Sequence, residues 1–305
     1  MTRRTLFAAA IALSAAIATS AYAADVDATF DKSLSVSGAP ILSVSTGSGY
    51  VHITAGSDNQ VHIVGHVHSQ SGWLFSSASS DAAKQIAANP PITQSGNTIT
   101  IATAHNDSLF RNISIDYDVT TPRSTNLTAH SGSGGIQITG IQAPVNAGSG
   151  SGSLHLTLAG SSQVKAATGS GAIHIEGVTG GLNASTGSGS IEVTGNLTSD
   201  WRISTGSGSI RLKLADNTRF NLDASTGSGT VHVDQPITMQ GSLNHHHVSG
   251  TVNGGGPLLH ATTGSGSITI NGNATAAQLG DRNSLHVPGA TDCVDNPSQP
   301  SCRKN

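Results

Sequence analysis

The chain has 305 residues, with 14 lysines and arginines against 17 aspartates and glutamates, a net charge of −3 with histidine neutral. Phosphate recognition needs a basic surface, so this balance excludes nucleic acid as an expected partner. Charged residues are only 10% and aromatics 3%, but 37 glycines and abundant Ser and Thr are interleaved with Ile, Val and Leu in alternation, which marks folded β-structure and not disorder.

Residues 1–23 read as a signal peptide: Arg3 and Arg4 form a charged start, Leu6 to Ile17 an apolar stretch and Ala21-Tyr22-Ala23 a small-x-small cleavage site. The apolar stretch is too short to span a membrane. The paired arginines fit an ordinary secretory signal better than a twin-arginine one. No cysteine lies at the cleavage site, which excludes a lipid anchor there. Cleavage removes Arg3 and Arg4, leaving 12 basic against 17 acidic residues. The expected mature chain has no membrane span and is exported to the periplasm, the cell surface or the medium.

Residues 24–126 form a less regular β segment, a cap for the repeat array of residues 127–273. Strands are predicted over Ile41 to Val44, Val51 to Ile53, Val61 to Val67, Thr98 to Ile101 and Ile113 to Val119. A short helix is predicted over Asp81 to Ala88, ended by Pro90 and Pro91. In the third of these strands, alternation places His62, His66 and His68 on one face. A His-x-His pair can hold zinc when a third ligand comes from elsewhere, but the sequence identifies none, and a wet sheet face explains the same residues. Asp116 and Asp118 likewise share one face. Their spacing suits a glycosidase-like carboxylate pair, and a solvated strand face suits it equally.

From 127 to 273 one phrase recurs. Thr46-Gly47-Ser48-Gly49 has already introduced it, and related phrases place their second glycine at Gly134, Gly152, Gly171, Gly189, Gly208, Gly229, Gly250 and Gly266, at spacings of 18, 19, 18, 19, 21, 21 and 16. The phrase at Gly250 is degenerate, with Val248-Ser249 in place of Gly-Ser. One strand signal follows each phrase (Ser190-Ile191-Glu192-Val193) and another precedes the next (Leu182-Asn183-Ala184, Trp201-Arg202-Ile203-Ser204). The fold class predicted is all-β, a β-solenoid resembling a parallel β-helix with two-strand coils of about 19 residues. A phosphate-cradling role for the glycines is disfavoured, because a strand and not a helix follows and no lysine is placed. Recurring calcium-binding aspartates are also absent from the corners.

If the units stack in register, the middle residues of the post-phrase strands form an outward column: Gln137, His155, His174, Glu192, Arg211, His232, Asn253 and Thr269. His174, Glu192 and Arg211 would then be a cross-strand charge ladder. An acid-base site there would lack a pocket to shift its pKa values. His245-His246-His247 is a further metal candidate, although adjacent strand residues alternate in direction and at most two share a side.

The run Ile115-Asp116-Tyr117-Asp118-Val119-Thr120-Thr121-Pro122, then Leu127-Thr128-Ala129, then Ser131-Gly132-Ser133-Gly134-Gly135-Ile136-Gln137-Ile138 resembles the bacterial adhesin-like β-strand-repeat family, the domain of unknown function 4097 family. The resemblance covers roughly Ile41 to Gly272. It implies a β-helical surface or periplasmic protein with no catalytic residues to carry over, and it says nothing of His245 to His247 or of the cysteines.

Residues 274–305 form a tail in which Cys293 and Cys302, the only cysteines, are expected to pair as a local staple of an exported chain. The function expected is that of an exported, non-catalytic β-repeat protein of the cell envelope: a candidate adhesin or structural surface, with no cofactor. Its expected partner is an envelope or surface component, a polysaccharide or another copy of itself. Two alternatives stand beside it, a polysaccharide-active β-helix enzyme, by fold analogy alone, and a histidine-rich metal-binding protein.

Overall fold

The computed structural model describes residues 28–69, 76–102, 108–239 and 245–272. The predicted signal peptide of residues 1–23, Trp73, and the predicted tail of residues 274–305 with Cys293 and Cys302 lie outside the described residues.

The described chain is all-β apart from one α-helix and one short 3-10 turn. It opens with β1 (Ala28–Ser35), β2 (Ile41–Thr46), β3 (Val51–Gly56), β4 (Gln60–Ser69), α1 (Ser76–Ala88), β5 (Ile92–Ser95), β6 (Thr98–Ala102) and β7 (Ile113–Pro122). All five predicted strands are present. The helix begins five residues before its predicted start, because the run Ser76 to Ser80 carries no apolar periodicity to announce it.

The repeat consists of an entry strand, a Gly-Ser-Gly corner and an exit strand. Eight such units, numbered in chain order, span 41–56, 126–139, 145–157, 164–176, 182–195, 201–214, 220–233 and 258–272. Entry strands pair with entry strands and exit strands with exit strands, always in parallel and in register. Unit 1 lies beside unit 2 although about 70 residues separate them in the chain. Units 2 to 6 then follow one another. Next to unit 6, however, stands unit 8, and unit 7 lies beyond it. The order in space is therefore 1-2-3-4-5-6-8-7.

Inside the stack, alternation puts large apolar side chains on the exit strands, such as Ile173, Ile191 and Ile210, opposite an alanine column, Ala147, Ala166 and Ala184, on the entry strands; all are at most 1% exposed. A single unit buries only a handful of such side chains, so its neighbours supply the core.

The corner explains the recurrent phrase. In each unit from the second onward, the Ser or Thr before Gly-Ser-Gly donates its hydroxyl to the carbonyl of the second glycine in the adjoining unit: Ser131 to Gly49 (3.2 Å), Thr186 to Gly171 (3.0 Å) and Thr205 to Gly189 (2.9 Å) are examples. Close approach explains the glycines. A Cβ on Gly206 would sit 2.5 Å from the carbonyl oxygen of Gly187. Positive φ adds a second reason at Gly266 (φ 142°), but Gly134, Gly152 and Gly171 do not need it.

Both ends change from parallel to antiparallel pairing. At one end β1 pairs with β4 and β4 with β7, while β5 pairs with β6. Ala83 and Ile86 of α1 are fully buried, and the helix packs on β1 and β4. At the other end the strand His247–Val252 runs antiparallel to unit 7 and to the strand Ile237–Met239. The phrase at Gly250 is thus no corner: with Val248-Ser249 in place of Gly-Ser the chain stays extended, buries Val248 and turns only at Asn253-Gly254-Gly255, all at positive φ. An edge bounded in this way is less open to pairing with another chain.

Candidate functional site: two outward columns of side chains

On the exit face the register aligns His52, Gln137, His155, His174, Glu192, Arg211, Thr269 and His232 in that order. The sequence-predicted column is present up to Arg211. Thr269 then separates Arg211 from His232, because unit 8 is interposed, and Asn253 is not a member, because it lies in the terminal turn. The rings of His155 and His174 meet at a tilt of 41° with centroids 5.4 Å apart. The charge ladder forms around Glu192 with a different cation from the one predicted: Lys213 Nζ donates to its Oε1 at 2.7 Å and His174 Nδ1 lies 3.6 Å from Oε2. The Lys213 hydrogen bond holds the Glu192 carboxyl below the usual range, against an opposing push from partial burial; the charges of Lys213, His174 and Arg211 add to the lowering.

β4 and β7 carry the histidine and aspartate candidates at one end of this face. His62, His66 and His68 do share a side, and each faces a carboxylate: Asp31 at 2.8 Å, Asp118 at 3.3 Å and Asp116 at 3.2 Å. Asp118 also meets His52 at 3.1 Å through its other oxygen, and the second oxygen of Asp116 accepts the Tyr50 backbone N–H at 2.7 Å. Hydrogen bonds to His52 and from the Tyr50 N–H thereby hold one oxygen of each carboxylate, and His66 and His68 lie within ion-pair distance of the other. Among the described residues no group of three or more His, Cys, Asp or Glu side chains could hold a metal ion. Tyr50, 67% exposed, lies over Gly135 in a shallow cleft shared with Gln137 and His155.

The triple histidine seals the terminal unit through its backbone. The His246 and His245 carbonyls accept the N–H groups of Thr226 (2.8 Å) and Val231 (3.1 Å). The three side chains are exposed, and His247 lies 3.9 Å from Asp223.

Alignment of the strands before each phrase yields a second outward column, on the entry face, that the sequence reading missed: Thr128, Asn146, Lys165, Asn183, Arg202, His260 and Asp223. Its signal was the polar residue after each apolar entry residue, as in Val164-Lys165, Leu182-Asn183 and Trp201-Arg202. A groove of about 480 Å³ runs over the middle of this column, walled by the residues that lead into the strands, Gln163, Asp200 and Leu258 among them. Trp201 floors it as core, 1% exposed, with its indole N–H donating to the Gly180 carbonyl at 2.7 Å, and so offers no stacking platform. His260 is held by Asp223 at 3.0 Å, and Asp200 accepts the Leu258 N–H at 2.8 Å.

An all-β array of stacked repeat units, polar on both outer faces and apolar between them, is the class of protein that these features define. The family model described as Toastrack DUF4097 matches residues 42–271, and the chain belongs to that family. No curated protein matches the sequence. Solved structures similar to it include a candidate adhesin from Bacteroides fragilis (13% identity, 80% of this chain and 97% of that one, TM-score 0.39). A candidate lipid-binding protein from Parabacteroides distasonis (14%, 80% and 96%, 0.40) and a candidate cell adhesion protein from Clostridium sporogenes (11%, 80% and 99%, 0.30) are also similar.

Proposed function

We propose that the stacked units form a β-solenoid that works as an exported, non-catalytic binding surface of the cell envelope, an adhesin-type protein and not an enzyme. One observation carries this reading: two outward columns cross the stack with one side chain per unit, and their side chains are spread at strand spacing instead of converging on a point. Rungs about 4.8 Å apart present a ruled surface suited to an extended partner. The closest approach to a concentrated site, Asp116 and Asp118, is consumed by its own histidine and backbone contacts.

The test is binding of the purified mature chain to isolated envelope polysaccharide, to intact cells, and to itself by light scattering. Retention in any arm, without release of soluble sugar, supports the reading. Failure in all three, or turnover of a polysaccharide, overturns it.

A further inference from the structure

We propose that the entry-face groove is a binding site for an acidic polysaccharide, with Lys165 and Arg202 pairing to its carboxylates and Asn146 and Asn183 to its hydroxyls. This rests on the binding-surface reading above and names the site and the ligand chemistry within it.

The column in the groove alternates amide, cation, amide, cation over four consecutive units: Asn146, Lys165, Asn183 and Arg202. Two rungs separate the cations, roughly 10 Å at the spacing of paired strands. Lys165, Asn183 and Arg202 are exposed, and Asn146 is half-buried.

The cations differ in one respect from their counterpart at Glu192. Neither Lys165 nor Arg202 has an ion-pair or hydrogen-bond partner among the described residues, whereas Lys213 on the exit face is bonded to its carboxylate. Asp200, the one acidic residue named in the groove wall, spends one oxygen on the Leu258 N–H, and Asp223 is held by His260. In a chain of net negative charge, two unneutralised cations in line along one groove are a complement for anions spaced along a polymer. Arg offers a fork that takes a carboxylate through two hydrogen bonds, and Lys a point charge.

The amides decide the kind of polymer. Each carboxamide both donates and accepts, which suits the hydroxyls of a sugar ring. Single-stranded nucleic acid would call for aromatic platforms, and the one aromatic in the groove is buried. An anionic membrane would call for a basic cluster on an apolar wedge, and here the cations are separated by amides.

Affinity electrophoresis of the mature chain through polygalacturonate, beside the same polymer with its carboxyls reduced, tests the assignment. The expected result is retardation by the acidic polymer only, weakening with salt. Lys165→Gln with Arg202→Gln should weaken it by roughly ten-fold or more, at the scale of one charge-assisted hydrogen bond removed per cation. Arg211→Gln, which removes one cation from the opposite face, should leave it unchanged. The thermal midpoint of each variant shows that the fold is kept.

The proposal is overturned if the wild type ignores polygalacturonate, if the double variant binds as well as the wild type, or if Arg211→Gln weakens binding equally. Preference for a single-stranded oligonucleotide or for anionic vesicles in the same format also overturns it. A chain that ignores polygalacturonate but still binds cells or envelope loses only this assignment. One that binds none of these and does not self-associate loses the broader reading as well.

Discussion

Thr226 Oγ1 donates a 2.8 Å hydrogen bond to the carbonyl of Gly266, a residue 40 positions later in the chain. Thr263 in turn reaches back to Gly208 at 2.9 Å. The corner hydroxyls therefore record the spatial order of the units, and they place unit 8 between units 6 and 7. The chain passes over one place in the stack, builds the unit beyond it, turns back through the strand His247–Val252 and fills the gap.

That order is open to direct chemical test. Arg211 and Thr269 are register partners on adjacent parallel strands, whereas Arg211 and His232 are two rungs apart. A disulfide spans Cα atoms up to about 7 Å apart, and one rung is about 4.8 Å. In a chain with Cys293 and Cys302 replaced by serine, Arg211→Cys with Thr269→Cys should cross-link under mild oxidation. Arg211→Cys with His232→Cys should not. Mass spectrometry after proteolysis distinguishes them, and the opposite pattern would restore stacking in chain order.

The corner glycines give a matched pair of substitutions. A Cβ on Gly206 would meet the Gly187 carbonyl oxygen at 2.5 Å, but one on Gly47, the equivalent glycine of unit 1, would meet no described atom within 4 Å. Neither residue has positive φ, so packing alone separates them. Gly206→Ala should cost about 2–3 kcal/mol by overpacking against a backbone that cannot yield. Gly47→Ala should stay within about 0.5 kcal/mol of the wild type. Urea midpoints of the two variants measure the difference.

Much of this architecture was legible in the sequence because it is periodic. Strict alternation fixes which side chains of Ser190-Ile191-Glu192-Val193 point inward, and the Gly-Ser-Gly spacing gives the register of the column from Gln137 to Arg211. The interposed unit was hidden for a physical reason: units 6, 7 and 8 offer one another the same corner, so the phrase cannot say which neighbour each accepts. The candidate groove was hidden differently. Lys165 and Arg202 are unremarkable alone, and acquire meaning only once two-rung alignment and the lack of a partner carboxylate among the described residues are known. Sequence did flag His66, His68, Asp116 and Asp118, and the structure adds that they face one another across β4 and β7.

Tyr117 is 1% exposed in the core of β7, and its hydroxyl has no hydrogen-bond partner among the described residues. Its ring meets Phe30 edge-on at a centroid distance of 6.2 Å, a contact that phenylalanine would keep. Tyr117→Phe should therefore stabilise the fold by about 1 kcal/mol, the scale of a buried polar group left unsatisfied. Burial also pushes the phenol pKa up. Below about pH 10 the group is neutral in both folded and unfolded chains; above it the unfolded chain ionises first, so stability falls as pH rises. Alkaline melting curves should show this loss in the wild type and a smaller one in Tyr117→Phe.

Glu192 has the opposite sign. Its carboxyl is held below the usual range, first by the Lys213 hydrogen bond, so the folded state favours the ionised form. The contribution is complete above the unfolded value of about 4.3 and is lost as pH falls from there through the lower folded value. The side chain remains one-third exposed and solvent screens the pair, which limits the gain to about 0.2–1 kcal/mol. Glu192→Gln should lower the thermal midpoint slightly at pH 7, and the gap from the wild type should close as pH drops below about 4. Added salt at pH 7 should narrow the same gap, since part of the effect is Coulombic. A gap that persists in acid would mean that Glu192 supports the stack through packing and not through its charge.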